Sequence, residues 1–323
     1  MVSEWPNSLT RWSRSSQEER SERVSIAPPR PGESGAGSVE LLVGTIINIL
    51  VASSMFILVA LGLAFIFNMM GILNLAHGAI YMIGGYVTYA LAVGLGLNSW
   101  MALLASTVIF ALFGAFLEKY CFRPFVGNFD AAVMVCVGVT IVLQNIVNNM
   151  VGNKVMSIPR FAGGIFKVGL MSVSYERIVT FAIGGILAGI MIWFVRVTKL
   201  GQQMQAIAQN REAAFLQGIS VNRVQSLACA VGCGLAAVAG SLMGAYTNLN
   251  PFMGDDMLAN VLMLVIMAGA GSIGGVVLVG LVLGAMNAVL PVLLSGDYAQ
   301  AIYVAIVVII LLFRPQGFFG HEA

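Results

Sequence analysis

The chain has 323 residues, 59% of them hydrophobic and only 9% charged, with a formal net charge of +2. Soluble domains carry about 25% charged residues, so an ordinary soluble enzyme and a disordered chain are excluded. Lys+Arg 16 against Asp+Glu 14 also leaves no basic field to draw in nucleic acid.

Residues 1–40 are polar, rich in Arg, Glu, Ser and Pro, and include Pro28-Pro29-Arg30-Pro31. Such a composition buries too little apolar surface to order itself. No apolar segment near Met1 resembles a signal peptide. The segment is expected to be a disordered tail, either a native extension or the result of a start codon set too early. The membrane domain then spans 41–320.

From Leu41 to Leu117 no Asp, Glu, Lys or Arg occurs, and uncharged runs recur at Ala131–Asn153, Ile178–Val195, Val224–Gly254, Met257–Gly296 and Tyr298–Phe313. A membrane helix needs about 20 apolar residues. The runs are continuous rather than alternating, which argues against a transmembrane barrel. The expected fold is an all-α polytopic membrane protein. Candidate spans are 41–67, 77–97, 100–117, 131–151, 178–197, 225–247, 257–273, 275–294 and 298–313. About eight or nine cross the membrane, because the first apolar region is ambiguous.

Inside that region, Asn68, Gly71, Asn74, His77 and Gly78 crowd into a short stretch at membrane depth. Irregular backbone is tolerated there only when buried in protein or lining a cavity. A broken or re-entrant helix near 68–78 is therefore expected. Asn68 and Asn74 are candidate caps of half-helices. His77 either lines a translocation path or hydrogen-bonds across the break. A half-helix N-terminus is also a site for an anion such as a substrate carboxylate.

In the fourth span, Gln144/Asn148 and Asn145/Asn149 form two adjacent polar stripes. They line a path, or they make interhelical hydrogen bonds of about 0.6 kcal/mol each. The pairs Gly185/Gly189, Gly240/Gly244 and Gly280/Gly284 allow close helix approach. Cys229 and Cys233 lie four apart, with no His or acidic residue near in sequence. They read as small packing residues, and no metal site is expected. Asp255 and Asp256 fall on an external connection under nine spans. They are either solvated or available to a substrate-delivering protein.

The polar loop 198–223 carries Asn210 as a helix N-cap, Glu212 in a first turn and Gly218 at the C′ position. These predict a short helix over 211–217. Ala213 and Ala214 give it a low-relief face beside Phe215 and Leu216. Such a helix either docks into a groove of another protein or lies on the membrane surface. Basic residues on the side of this loop (Lys119, Arg123, Arg196, Lys199, Arg211, Arg223, Arg314) outnumber those on the other (Lys154, Arg160, Lys167, Arg177). That makes the loop cytoplasmic, although the arginines of the tail reverse the bias.

Glu212-Ala213-Ala214-x-x-x-Gly218 resembles the EAA loop of bacterial ABC-importer permeases. Gly71-Ile-Leu-Asn-Leu-Ala-His-Gly78 with Ile80-Tyr-Met-Ile-Gly-Gly-Tyr86 resembles the first-half signature of branched-chain amino acid permeases of the LivH type. Glu118-Lys-Tyr-Cys-Phe-Arg-Pro124, Gly269-Ala-Gly-Ser-Ile-Gly-Gly275 and Phe313-Arg-Pro-Gln-Gly-Phe-Phe-Gly320 resemble its third-span loop, C-terminal glycine motif and closing segment. The resemblance covers roughly 41–320. It implies a non-catalytic subunit in the bacterial inner membrane that translocates branched-chain or related amino acids. A second homologous permease, two P-loop ATPase subunits that bind ATP-Mg, and a periplasmic substrate-binding protein would be its partners. Glu212, Ala213, Ala214 and Gly218 would couple it to the ATPases.

The chain has no P-loop of its own, no cofactor is expected in it, and no charged relay lies within its spans. Ala79 departs from the acidic residue usual after the family's His-Gly pair, which keeps urea, short amides or other amino acids open as substrates. A secondary carrier or channel is the alternative of another class.

Overall fold

The computed structural model describes residues 34–152, 154–168, 171–269, 272–294, 296–314 and 316–319. Of the expected tail, 1–33 lie outside the described residues, as do parts of the C-terminal glycine motif and closing segment. Chain contacts separate a unit ending at Leu42 from a main unit beginning at Val43.

Among the described residues eleven α-helices follow in order: α1 (Ser34–Met70), α2 (His77–Tyr89), α3 (Ser99–Leu117), α4 (Phe129–Val151), α5 (Tyr175–Val197), α6 (Lys199–Gln209), α7 (Arg211–Leu216), α8 (Val221–Tyr246), α9 (Met253–Ala268), α10 (Ile273–Leu293) and α11 (Gly296–Phe313). Between α4 and α5 lies an antiparallel hairpin of β1 (Ile165–Val168) and β2 (Met171–Ser174), with Ile165 opposite Ser174. This hairpin falls in a loop of the sequence reading and is the described exception to an all-helical chain. Local chemistry sets the helix ends. Asn98, Asn128, Ser174, Thr198 and Ser272 each accept a backbone N–H in the first turn of the helix that follows. Each thereby satisfies one of the four donors a helix start leaves open. α4 and α9 end at Gly152 and Gly269, both at positive φ.

Each of the nine candidate spans is helical over most of its described residues. Among the described residues, six helices are long and apolar enough to cross a membrane: Leu42–Met70, Ser99–Phe125, Phe129–Val151, Tyr175–Val197, Val221–Tyr246 and Ile273–Leu293. Tyr298–Phe313 is apolar but shorter. The difference from eight or nine lies chiefly in α2 and α9, of 13 and 16 residues, which fall short of a bilayer's thickness.

α1 and α8 form the centre. Gln225 at the start of α8 donates to the carbonyl of Met69 at the end of α1, at 2.8 Å, so the two helices run antiparallel. They cross where a Cβ on Gly62 would meet the Gly232 carbonyl, and a Cβ on Gly232 that of Gly62. Each long helix is followed by a non-helical link of the same length, 71–76 or 247–252, and then by a short helix. The starts of the two short helices touch backbone to backbone: a Cβ on Gly78 would strike the Gly254 carbonyl, and one on Gly254 that of Gly78. The His77 ring lies against Gly62, level with Gly232 and roughly 16 Å into α8 at 1.5 Å per residue.

Candidate functional site

Two places gather the polar residues that sequence singled out. The first is the loop between α5 and α8. α6 packs back on the end of α5: Gly201 sits on the Phe194 and Val195 carbonyls, Met204 and Ile207 are buried, and Gln205 donates to the Val195 carbonyl at 2.9 Å. At Asn210 the chain turns. The Asn210 side chain accepts from the Ala213 N–H at 2.9 Å and starts α7. Gly218, at φ 82°, ends it. The Ile219 N–H returns to the Ala214 carbonyl at 3.1 Å, as in a helix closed by a left-handed residue.

This local chemistry fixes which side of α7 faces out. Ala214 is buried, while Glu212 and Ala213 are exposed, and Phe215 and Leu216 are 69% and 83% exposed. Arg211, Glu212, Phe215 and Leu216 form one wall of an open groove of about 770 Å³ whose other wall is Ser220–Arg223 at the start of α8. A neighbouring hollow of about 410 Å³ lies between 67–71 at the end of α1 and Ile207–Gln209 with Arg211. Asn68 lines this hollow, inside α1 and beside the loop. It does not cap the break after Met70.

The second place is that break. Asn74 is fully buried; its side-chain oxygen accepts from the Ala76 N–H at 3.1 Å, and its carbonyl accepts from the His77 N–H. It thus folds the turn that launches α2. His77, also fully buried, donates through Nε2 to the Val59 carbonyl of α1 at 3.2 Å. Asn74 Nδ2 and His77 Nδ1 have no partner among the described residues. α4 closes the side. Thr140 donates to the Leu75 carbonyl at 3.3 Å, and one turn on Gln144 donates to Asp255 at 2.6 Å. Asn148 is half-buried and is not brought to this contact; Asn145 bonds the Ile141 carbonyl of its own helix.

The contact of Asp255 with Gln144 is what sequence reasoning missed. Asp255, expected on the connection before the span 257–273, stands in the first turn of α9, next to the Gly78–Gly254 contact. Asp255 and Asp256 are exposed on the chain surface. A signal was present: two acidic residues opening an apolar helix, where the dipole favours them. Cys229 and Cys233 are buried with their sulfurs 4.0 Å apart. Among the described residues no group of three His, Cys, Asp or Glu stands close enough to hold a metal ion.

The sequence pattern of the family described as "Branched-chain amino acid transport system / permease component" matches residues 45–311. The high-affinity branched-chain amino acid transport system permease protein BraD of Pseudomonas aeruginosa is 30% identical over 291 residues, 85% of this chain and 95% of BraD. The corresponding permease protein LivH of Escherichia coli is 30% identical over 83% of this chain and 92% of LivH. The LivM permease protein of Salmonella typhimurium is 25% identical over 90% of this chain and 72% of LivM. Among solved structures, PsaBC from Streptococcus pneumoniae in complex with Fab matches with a TM-score of 0.46 and 15% identity, over 83% of this chain and 90% of that one. With its spans, its loop helix and this match over most of its length, the chain belongs to the family of permease components of branched-chain amino acid transport systems.

Proposed function

We propose that this chain is the permease subunit of an ATP-driven importer for branched-chain or related amino acids, seated in the bacterial inner membrane. It works with a second permease of its own family, two P-loop ATPase subunits that bind ATP-Mg, and a periplasmic substrate-binding protein. The chain itself catalyses nothing. Its relation to both LivH and LivM supports the pairing of two such permeases.

The observation that carries the reading is α7. A capped helix of this size that turns Phe215 and Leu216 outward over a groove leaves apolar surface that a partner covers, and aromatic and aliphatic anchors of this kind dominate binding energy at interfaces. Ala213, with its small side chain, lets that partner approach closely. Glu212 and Gly218 hold the helix ends. ATP-driven closure of the ATPases then displaces α7.

In this reading the links 71–76 and 247–252 are re-entrant, and α2 and α9 are half-helices starting near mid-membrane. Carboxylates at that depth do not face lipid. The surface with Asp255, Asp256 and Gln144 therefore turns toward the second permease and an aqueous path between the two. His77 and Asn74 shape the break behind it.

The test is purification of the tagged chain from its native membrane in a gentle detergent, followed by mass spectrometry and by uptake of labelled leucine into liposomes. Recovery of P-loop ATPases with a second permease, and uptake that requires ATP, is the expected result. Transport by the chain alone without ATP would overturn the reading in favour of a carrier or channel.

A further inference from the structure

One polar cluster lies outside everything assigned so far. α3 does not stop at Leu117. It continues through a wide π turn, Glu118–Phe122, and a tight turn, Arg123–Phe125. The wide turn brings Glu118 and Arg123, five residues apart, to the same side. Arg123 grips the Glu118 carboxylate with both ends of its fork, Nε to Oε1 at 2.9 Å and Nη2 to Oε2 at 2.6 Å. The same Nη2 donates to Ser226 Oγ at 2.8 Å and to the Asn222 carbonyl at 3.3 Å, and Ser226 donates its own proton to Glu118 Oε2. Glu118 is fully buried, whereas the Arg123 side chain is 30% exposed.

A buried carboxylate is costly unless its lone pairs are met, and a two-pronged guanidinium contact is the most directional way of meeting them. The cluster is therefore tightly fixed in geometry. Its location gives it a use. Asn222 and Ser226 belong to the first two turns of α8. Asn222 and Arg223 also form the wall of the groove opposite Phe215 and Leu216. Further along, α8 carries Gly232 against α1 and Gly240 against α2. The turn of α8 that faces the α7 groove is thus the turn bolted to the inner end of α3.

We propose that Glu118, Arg123 and Ser226 form a latch that makes α3 and α8 move as one body when α7 is displaced. They are positioning residues for the coupling of ATP hydrolysis to transport. The proposal rests on the reading of α7 as the ATPase contact. Without the latch, the start of α8 yields locally and the push is spent before it reaches the Gly62–Gly232 crossing.

The experiment uses the whole reconstituted transporter and measures ATP hydrolysed per amino acid taken up. The main variant is the double substitution Glu118→Gln with Arg123→Met, which removes both charges and strands neither. Hydrolysis stimulated by the loaded binding protein is expected to stay within about twofold of wild type while uptake falls about tenfold, a coupling loss of ordinary size. A role confined to holding the fold would lower assembled complex, hydrolysis and uptake together, and an unchanged ratio overturns the latch. Should the double variant fail to assemble, Ser226→Ala gives the answer. It removes one hydroxyl, and a ratio raised about threefold to fivefold, the scale of one hydrogen bond, supports the latch, whereas an unchanged ratio overturns it. A wild-type chain that recovers no ATPase overturns the coupling reading and the latch with it. Tight coupling in wild type with an unchanged ratio in the variants overturns the latch alone.

Discussion

The two central helices and the outer ones have similar composition but opposite surroundings. In their most apolar stretches α1 is 83% buried and α8 78%, against 17% for α4 and 28% for α5 and α10. Hydrophobicity therefore places all of them in the membrane without saying which face protein and which face lipid. Glycine distinguishes the faces: one that lies against protein has no room for a Cβ, and one on an open face has. On the central pair, Gly62, Gly232 and Gly240 each lie against a backbone carbonyl of another helix. On the outer helices, Gly138, Gly185 and Gly189 have open space where a Cβ would go. Lipid is as apolar as the helices, so close backbone approach and shape replace hydrophobic burial as the source of specificity.

The largest expected break of this contrast is Gly240→Val. The new side chain would run into the Tyr81 carbonyl, and a backbone cannot rotate away as a side chain can. A loss of about 3 kcal/mol or more is expected, seen as absence of monodisperse protein on size-exclusion chromatography. A well-folded variant of unchanged melting temperature would mean that α2 and α8 are not in contact there.

The next tests the exposed residues, to separate those facing lipid from those facing a partner. Phe215→Ala with Leu216→Ala is expected to leave the melting temperature within a degree or two. It should weaken ATPase recovery by roughly 30-fold or more, the scale of about 2 kcal/mol for lost anchors. Full recovery would make α7 a membrane-surface helix. Asp255→Asn keeps the size of the side chain and an oxygen to accept from Gln144. It is expected to lower uptake about tenfold, with stability changed by less than about 1 kcal/mol. Unimpaired uptake would remove the carboxylate from the path. Smallest of all, Gly185→Ala adds a methyl where this chain has nothing, and its stability should change by under about 0.5 kcal/mol. A marked loss in the assembled transporter, but not in the isolated chain, would identify that face of α5 as covered by a partner.

The positions of the membrane helices were legible because uncharged runs report burial in lipid directly. α7 was legible to within a residue because its limits are written in adjacent residues: Asn210 caps it and Gly218 closes it. The break before α2 was legible in Asn68, Gly71, Asn74 and His77, but the shortness of α2 and α9 was not. Hydropathy counts apolar residues and does not say where a helix stops short of a full span. The link 71–76 is marked by Gly71 and Asn74 rather than by charge, and 247–252 reads as an ordinary loop. The contact of Asp255 with Gln144 was not legible either, because the two lie 111 residues apart and meet only in the fold. The links from Arg123 to Asn222 and Ser226 were out of reach, because their partners meet only after the fold brings α3 and α8 together. The glycine pairs divided. Gly240/Gly244 and Gly280/Gly284 pack against other segments of the chain, but Gly185/Gly189 do not, and spacing alone cannot say which face of a helix will be covered.

The joint at Gly78 and Gly254 has a consequence for how this chain can change over generations. Most packed positions drift by small steps, a methyl gained here and lost opposite. Here the smallest step available is a methyl that already meets main chain from the other helix, and the obstacle cannot be trimmed by a compensating change because neither partner has a side chain to trim. The two positions have no neutral neighbours in sequence. Everything around them can vary by degrees, and the contact itself is inherited whole or lost.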